Sequence, residues 1–289
     1  VTVSVLYWFV HTLAVAMKVV INAVRAVLTV AVFLLLLATW VVAWVCQKVA
    51  TLAMLPWAKK HQIQDVNGRI FRTLNMIVMD LLHPMWRTKI VKPFRPETLP
   101  KGRPVIYMFN HLSNSDPWTA IRILWPIDCK WICKGSLFKV PFGGWCLENA
   151  GDLAVRFTSA KGGWGTEKGS VKQLMEDAAE LLRREQPIAV FPEGVRSYDP
   201  EGELNEFKPG FFDLAIKEGA IIVPIALSGT HRMWPRGDWK FGFATCYAAV
   251  GEHIETKGME TEALVKETRD TMTAMVNDLP DRKAAAKKQ

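Results

Sequence analysis

The hydrophobic pattern divides this chain into three stretches of different character. The first 55 residues are apolar almost without interruption. Residues 1–17 carry no formal charge, residues 26–46 carry none either, and Lys18 and Arg25 lie between the two runs. A helix that crosses a bilayer needs roughly 20 apolar residues. The pattern therefore predicts either two hydrophobic helices or one long helix interrupted by these charges. Trp40 and Trp44, then Trp57, Lys59 and Lys60, have the composition of an interfacial anchor. A buried hairpin inside a soluble core is the competing reading. A cleavable signal peptide fits poorly, because its apolar core is shorter and ends at a small-residue site.

From residue 63 to 82 the spacing changes. Ile63, Val66, Ile70, Leu74, Ile77 and Leu81 recur every three or four positions, which is one face of a helix. Asp65, Asn67, Arg69 and Arg72 fall on the other side, and the helix is free to lie on a membrane or to pack on the domain that follows. Trp86, Arg87, Lys89, Lys92 and Arg95 then make a basic stretch, suited to lipid head groups or to an ordinary solvated linker.

Beyond residue 100, short apolar runs alternate with helical patterns. Strands are predicted at 105–109, 130–133, 153–157, 188–191, 220–227 and 243–250. Helices are predicted at 117–124, 168–184, 210–217 and 260–277. This alternation predicts an α/β fold: a mixed central sheet flanked by helices, preceded by the hydrophobic helical membrane segment. The expected organisation is membrane-anchoring helices at 1–60, an amphipathic helix and basic linker at 61–100, a catalytic domain at 101–280, and a frayed basic tail at 281–289.

Composition sharpens the picture in three places. Lys and Arg outnumber Asp and Glu by 36 to 28, a formal charge of +8, which suits an anionic partner. Twelve tryptophans favour a lipid surface as that partner, and no basic–aromatic interleaving points to nucleic acid. Five cysteines at irregular spacings give neither a zinc pattern nor a disulfide framework; they read as buried thiols, with a catalytic thiol as the weaker alternative.

The residues suited to chemistry cluster at predicted strand ends, where α/β folds place their sites. The 105–109 strand runs into Asn-His-Leu-Ser-Asn-Ser-Asp-Pro-Trp at 110–118. An imidazole with an unperturbed pKa of about 6.5 can take a proton near neutral pH. Asp116, five residues after His111, can fold back to the other ring nitrogen and fix its tautomer. Asp116 before Pro117 is equally a helix N-terminus, so capping competes with catalysis. A second cluster, Phe191-Pro-Glu-Gly-Val-Arg-Ser197, follows another strand. Gly194 permits a tight turn, Arg196 can bind a phosphate with two hydrogen bonds, and Glu193 can hold that Arg or order the turn. A surface ion pair of little energetic weight is the alternative. Lys208 precedes a helix that begins at Gly210, and helix N-termini attract anions.

In this order these blocks resemble the glycerolipid acyltransferase family of the 1-acylglycerol-3-phosphate acyltransferases. His111 and Asp116 match its His-x4-Asp block. Residues 134–143, with Lys134 at their head and Arg156 downstream, look like its second block. Residues 191–197 match the Pro-Glu-Gly-x-Arg block, and Val223-Pro-Ile-Ala-Leu227 the fourth. Val195 stands where the family commonly has Thr, and Val155 where an Asp commonly precedes the Arg.

The resemblance implies a membrane enzyme of a bacterial inner membrane or a eukaryotic organelle, with its site at the cytoplasmic interface. It implies acyl-CoA or acyl carrier protein as donor and lysophosphatidic acid as acceptor, with no cofactor and no metal. His111 and Asp116 are then the general-base pair. Lys134, Arg156, Glu193, Gly194, Arg196 and Lys208 form the substrate-binding set. Within the family, glycerol-3-phosphate or other lysophospholipid acyltransfer is the alternative. A non-catalytic lipid-binding protein on the same scaffold ranks below both. A Gly-x-Ser-x-Gly hydrolase elbow is missing from the sequence.

Overall fold

The computed structural model describes residues 2–156 and 169–287. Phe157 and Lys168, which end two of the predicted elements, and Lys288 of the basic tail lie outside these.

The first element is one continuous helix, α1 (Thr2–Met54), of 53 residues. At 1.5 Å per residue it is about 80 Å long. Lys18 and Arg25 do not break it. Its two halves have different surroundings. Residues 6–24 are exposed throughout, although nearly all are apolar. From Arg25 onward one stripe docks on the rest of the molecule: Thr29, Val32, Leu36, Thr39, Ala43 and Gln47 are buried at intervals of three and four. The apolar side chains Val32 and Leu36 contribute roughly 1.5–3 kcal/mol each to this docking.

Polar groups set the register of that contact. The backbone N–H of Phe241 donates to Thr29 Oγ1 at 2.9 Å, and its carbonyl accepts from Arg25 Nε at 2.7 Å. Buried Gln47 donates to the carbonyls of Asn67 and Cys146 and accepts from Asn149. The opposite face of the docked half stays exposed and apolar, with Leu34, Leu37, Val42, Val45, Val49 and Leu52.

Helix α2 (Lys60–Met76) packs on the domain rather than standing apart from it. Its buried face is Ile63, Asn67, Gly68, Phe71, Arg72, Asn75 and Met76, not the Ile63–Val66–Ile70–Leu74 stripe that periodicity selects. Asn67 and Arg72, assigned from sequence to the solvent side, are inside. Arg72 is stabilised there by two carboxylates: Nη2 lies 2.5 Å from Asp152 and Nε 3.2 Å from Asp128. Burial alone lowers an arginine pKa, but here Asp152 and Asp128 outweigh it and hold the guanidinium above its ordinary value. Lys130 joins the cluster at 2.5 Å from Asp128 and 3.0 Å from Asp65.

Among the described residues the sheet has seven strands: β1 (Trp86–Lys92), β2 (Val105–Phe109), β3 (Lys130–Lys134), β4 (Leu153–Val155), β5 (Ile188–Val190), β6 (Ile221–Ser228) and β7 (Ala244–Val250). Their order is β1-β7-β6-β2-β5-β3-β4, and every pairing is parallel except β6 with β7. The sheet is therefore mixed, as the alternating pattern predicts. The basic stretch expected as a linker is β1, an edge strand. Arg87 and Lys89 point outward while Trp86 is buried, and charged side chains suit an edge that must not recruit another strand.

Alternation in β2 feeds two cores. Ile106 and Met108 pack with α5 (Ser170–Arg183), α6 (Gly210–Glu218) and α8 (Thr261–Asp278). Tyr107 and Phe109 pack with α1, Trp86 and α3 (Asp116–Leu124). The predicted frayed tail is instead a short helix, α9 (Pro280–Ala286), pinned where Asp281 accepts from Ser228 Oγ and Arg232.

Candidate active site

Strands β2, β5, β3 and β4 are parallel, so the segments leaving their C-terminal ends gather along one edge of the sheet. Every candidate residue read from the sequence lies on one of those segments or on the loop entering α6.

At the end of β2 the main chain leaves the sheet at Asn110. Its side chain takes over the pairing: Nδ2 donates to Leu227 O at 3.0 Å, and Oδ1 accepts from Leu227 N at 2.7 Å. Asn110 is fully buried, and the amide closes the β2–β6 ladder where the backbone turns away. His111 follows. Its Nδ1 lies 2.7 Å from Asp116 Oδ2. The same oxygen accepts the N–H groups of Leu112 at 2.6 Å and Ser113 at 2.8 Å.

Asp116 therefore does not cap its own helix. No side-chain cap bond forms at the start of α3, and the carboxylate points back at the loop. It is completely buried, whereas the His111 side chain is partly open. With a carboxylate at Nδ1, that nitrogen carries the proton and donates it. Nε2 is left as the acceptor, and among the described residues nothing bonds to it. The ring stacks on Phe191 with centroids 4.1 Å apart and planes 20° apart, which limits its rotation.

The segment after β5 is bound to this loop by backbone and side chain. Ser197 N donates to His111 O at 2.8 Å. Glu193, buried, accepts from His111 N at 2.7 Å and from Asn205 N at 3.1 Å. Of the two roles left open by the sequence, the structure shows the second: Glu193 orders the turn, and among the described residues it has no hydrogen bond or ion pair with Arg196. Burial pushes its carboxyl above the usual value, and the two N–H groups draw it part of the way back. Gly194 has φ +72, which only glycine adopts without strain, and a Cβ there would meet Lys208 Cγ at 3.7 Å. Lys208 is thus beside the turn, and its backbone N–H donates to Pro192 O at 2.8 Å. Arg196 is half-buried, and among the described residues its guanidinium has no ion-pair or hydrogen-bond partner.

Lys134 and Arg156 are brought to each other rather than to His111. Lys134 at the end of β3 pairs in register with Val155, and the Arg156 stem lies over Gly135. β4 is three strands from β2, about 14 Å along the same edge.

Sequence reasoning missed several participants. Ser113 Oγ donates to Trp234 O, and Ser115 Oγ to Thr230 O, tying the His111 loop to the segment after β6. Arg236 donates to the carbonyls of Arg196 and Ser197 and stacks its guanidinium 3.6 Å over Tyr198. Only Asn110 gave a sequence signal, as a polar residue closing an otherwise buried run. The thiol alternative loses its ground. Cys129 and Cys146 are pushed by burial to about 12, and Cys246 well above its ordinary value.

Comparison with known proteins points to one family. The acyltransferase family model matches residues 91–228, from β1 to the end of β6. Residues 91–228 form a domain of the acyltransferase family. A chloroplastic 1-acyl-sn-glycerol-3-phosphate acyltransferase of Arabidopsis thaliana is 31% identical over 160 residues, 53% of this chain and 42% of that protein. The 1-acyl-sn-glycerol-3-phosphate acyltransferase of Saccharomyces cerevisiae is 28% identical over 223 residues, 77% of this chain and 68% of that protein. Against plant and algal relatives the match spans about half of their length or less, 49% for that of Chlamydomonas reinhardtii. The crystal structure of the 1-acyl-sn-glycerophosphate acyltransferase of Thermotoga maritima superposes with a TM-score of 0.63 at 19% identity. It covers 88% of this chain and 95% of that one. The two share the fold.

Proposed function

We propose that this acyltransferase moves a fatty acyl group from a thioester, acyl-CoA or acyl carrier protein, to the free hydroxyl of lysophosphatidic acid, giving phosphatidic acid. The observation that carries this reading is the oriented His111–Asp116 pair, hydrogen-bonded through Ser197 to the loop of Arg196, with no partner for His111 Nε2 or the Arg196 guanidinium among the described residues.

In this mechanism Nε2 of His111 accepts the proton of the acceptor hydroxyl as its oxygen attacks the thioester carbonyl. Asp116 stabilises the imidazolium that forms. The tetrahedral intermediate collapses by breaking the C–S bond, and the imidazolium returns the proton to the departing thiolate. Arg196, with Lys208 beside it, binds the acceptor phosphate and so fixes where the hydroxyl lies. In this reading Arg156, farther along the edge near the end of β3, meets the phosphates of the thioester carrier.

The acceptor and the product both partition into a bilayer, and extracting a lipid into water costs about 0.8 kcal/mol per exposed CH₂. Helix α1 removes that step by holding the site at the membrane. It is long and apolar enough to cross one, and its outer face has no protein partner among the described residues.

An acceptor panel tests the reading. With labelled oleoyl-CoA and purified protein in detergent, lysophosphatidic acid should give the highest kcat/KM, ahead of glycerol 3-phosphate. Preference for a monoacylglycerol without phosphate would remove Arg196 from the assignment, and preference for glycerol 3-phosphate would move the chain to the alternative activity.

A further inference from the structure

Among the described residues, helix α1 is not the only exposed apolar surface. The segment after β3 forms a short 3-10 turn (Gly135–Lys139) and then α4 (Gly143–Asn149). It presents Leu137 and Trp145 to solvent at 47% and 41% exposure, high values for side chains of this size on a folded domain. Between them, Phe142 adopts φ +58, ψ −56, a region that a bulky residue occupies only under strain. In this conformation its ring rests against Trp145, with centroids 4.9 Å apart, and against Trp44 of α1 at 5.8 Å, instead of entering either core. Lys48 lies 5.7 Å over the Trp44 ring, and Lys139 is exposed on the same segment.

The segment is also fixed to α1. A Cβ on Gly143 would lie 2.7 Å from the Trp40 ring, and one on Gly144 would lie 2.4 Å from the Phe138 carbonyl. Gly143 thus lets the segment press on the helix, Gly144 lets it fold back on its own Phe138, and Gln47 holds Cys146 from the other side. A loop clamped in this way has to sit at the same depth as residues 40–48 of α1, whose neighbouring outer row is Val42, Val45 and Val49.

We propose that Leu137, Phe142 and Trp145 form a second membrane contact, inserted at the head-group level of the bilayer that receives α1. The clustered aromatic rings match the interfacial zone, where an apolar body and a polar N–H are both accommodated. Lys48 and Lys139 supply the charge that anionic head groups attract. The consequence concerns orientation. One helix alone leaves the domain free to swing about it. A second contact on the β3 side fixes the sheet edge that carries His111 against the lipid, where acceptor and product reside. This inference rests on the membrane reading of α1 given above.

The test uses the full chain in nanodiscs of phosphatidylcholine and phosphatidylglycerol. The exposed Cys46 is first replaced by serine. A single environment-sensitive fluorophore is then placed by Leu137→Cys, Trp145→Cys, Val20→Cys or, on the distant helix α8, Lys266→Cys. Quenching is read with doxyl-labelled lipid and with aqueous iodide. The expected result is that doxyl lipid quenches the labels at 137 and 145 at least threefold more than the label at 266, and that iodide quenches only the last. Labels at 137 and 145 that respond to iodide as strongly as 266 would overturn the second contact. So would labels that respond to neither quencher, which would mean that protein covers the face. The Val20 label separates the two readings: lipid quenching at 20 without quenching at 137 and 145 defeats this inference alone, and no lipid quenching at 20 defeats the membrane reading of α1 itself. Leu137 and Trp145 both lie outside the buried cores, so each label tests the contact independently.

Discussion

Asp116 Oδ2 accepts from His111 Nδ1 at 2.7 Å while also accepting the N–H groups of Leu112 and Ser113, so one buried oxygen fixes both a ring and the loop that bears it. This separates two effects that a substitution can test. In Asp116→Asn the amide oxygen still accepts from the backbone, but the charge that stabilises the imidazolium is gone. We expect kcat to fall by about 10²–10⁴-fold with a small change in unfolding midpoint. Turnover and thermal unfolding measured on the same preparation check this. Unchanged turnover would reduce Asp116 to a loop-ordering role.

Arg196 has no protein partner among the described residues, so its removal leaves no carboxylate stranded. Arg196→Ala should lower kcat/KM for lysophosphatidic acid by about 10²-fold or more, a loss of roughly 3 kcal/mol of charge-assisted binding. Arg196→Lys should recover part of it, since a point charge replaces a two-pronged fork. Steady-state kinetics with a phosphate-free acceptor is the control, and there both variants should match the parent chain.

The cluster around Arg72 makes a stability prediction. Arg72→Met removes the partner of two buried carboxylates, and Asp152 is left with only the Trp131 N–H. Breaking a buried pair from one side costs about 3–5 kcal/mol. Chemical unfolding in detergent measures it, and a loss below about 1 kcal/mol would show that the cluster is hydrated or protonated.

His83 gives a pH dependence that is separate from the chemistry. It is buried, and its Nδ1 accepts the N–H groups of Met85 and Trp86. Burial, aided by the Arg87 charge, lowers its pKa to about 3 from an ordinary value of 6.5. The unfolded chain therefore binds a proton at this position that the native chain refuses. Its stabilising contribution is complete above pH 6.5 and is lost as pH falls toward 3, at no more than about 1.4 kcal/mol per pH unit. His83→Asn retains an acceptor for both N–H groups and cannot titrate. Unfolding free energies at pH 7 and pH 4.5 should differ by less in this variant than in the parent chain.

The blocks proposed to carry the chemistry were legible because each joins a buried strand to residues with few structural reasons to stand there. His111 and Arg196 come together because β2 and β5 are neighbours, and two hydrophobic runs do not reveal adjacency by themselves. The α2 face was misread for a physical reason. Periodicity ranks residues by polarity, and Asn67 and Arg72 are buried with the Asn67 amide N–H groups donated to Thr51 and Asn149 and the Arg72 charge paired with Asp128 and Asp152. All four partners are distant in sequence. Strand β1 was hidden in a similar way: Arg87, Lys89 and Lys92 read as a basic linker, although the alternation of Trp86, Thr88 and Ile90 with outward charges is that of an edge strand. The single run of α1 through Lys18 and Arg25 was an open alternative, and Arg25 finds its place through Asp238 and the Phe241 carbonyl.

The most direct measurement is single-turnover acyl transfer from oleoyl-CoA to lysophosphatidic acid by the purified chain and by His111→Ala, followed as phosphatidic acid formed at pH 7.5. The account predicts product from the parent chain and a rate at least about 10³-fold lower in the variant, with both binding the acceptor equally. Equal rates in the two proteins would contradict the assignment of His111 as the base.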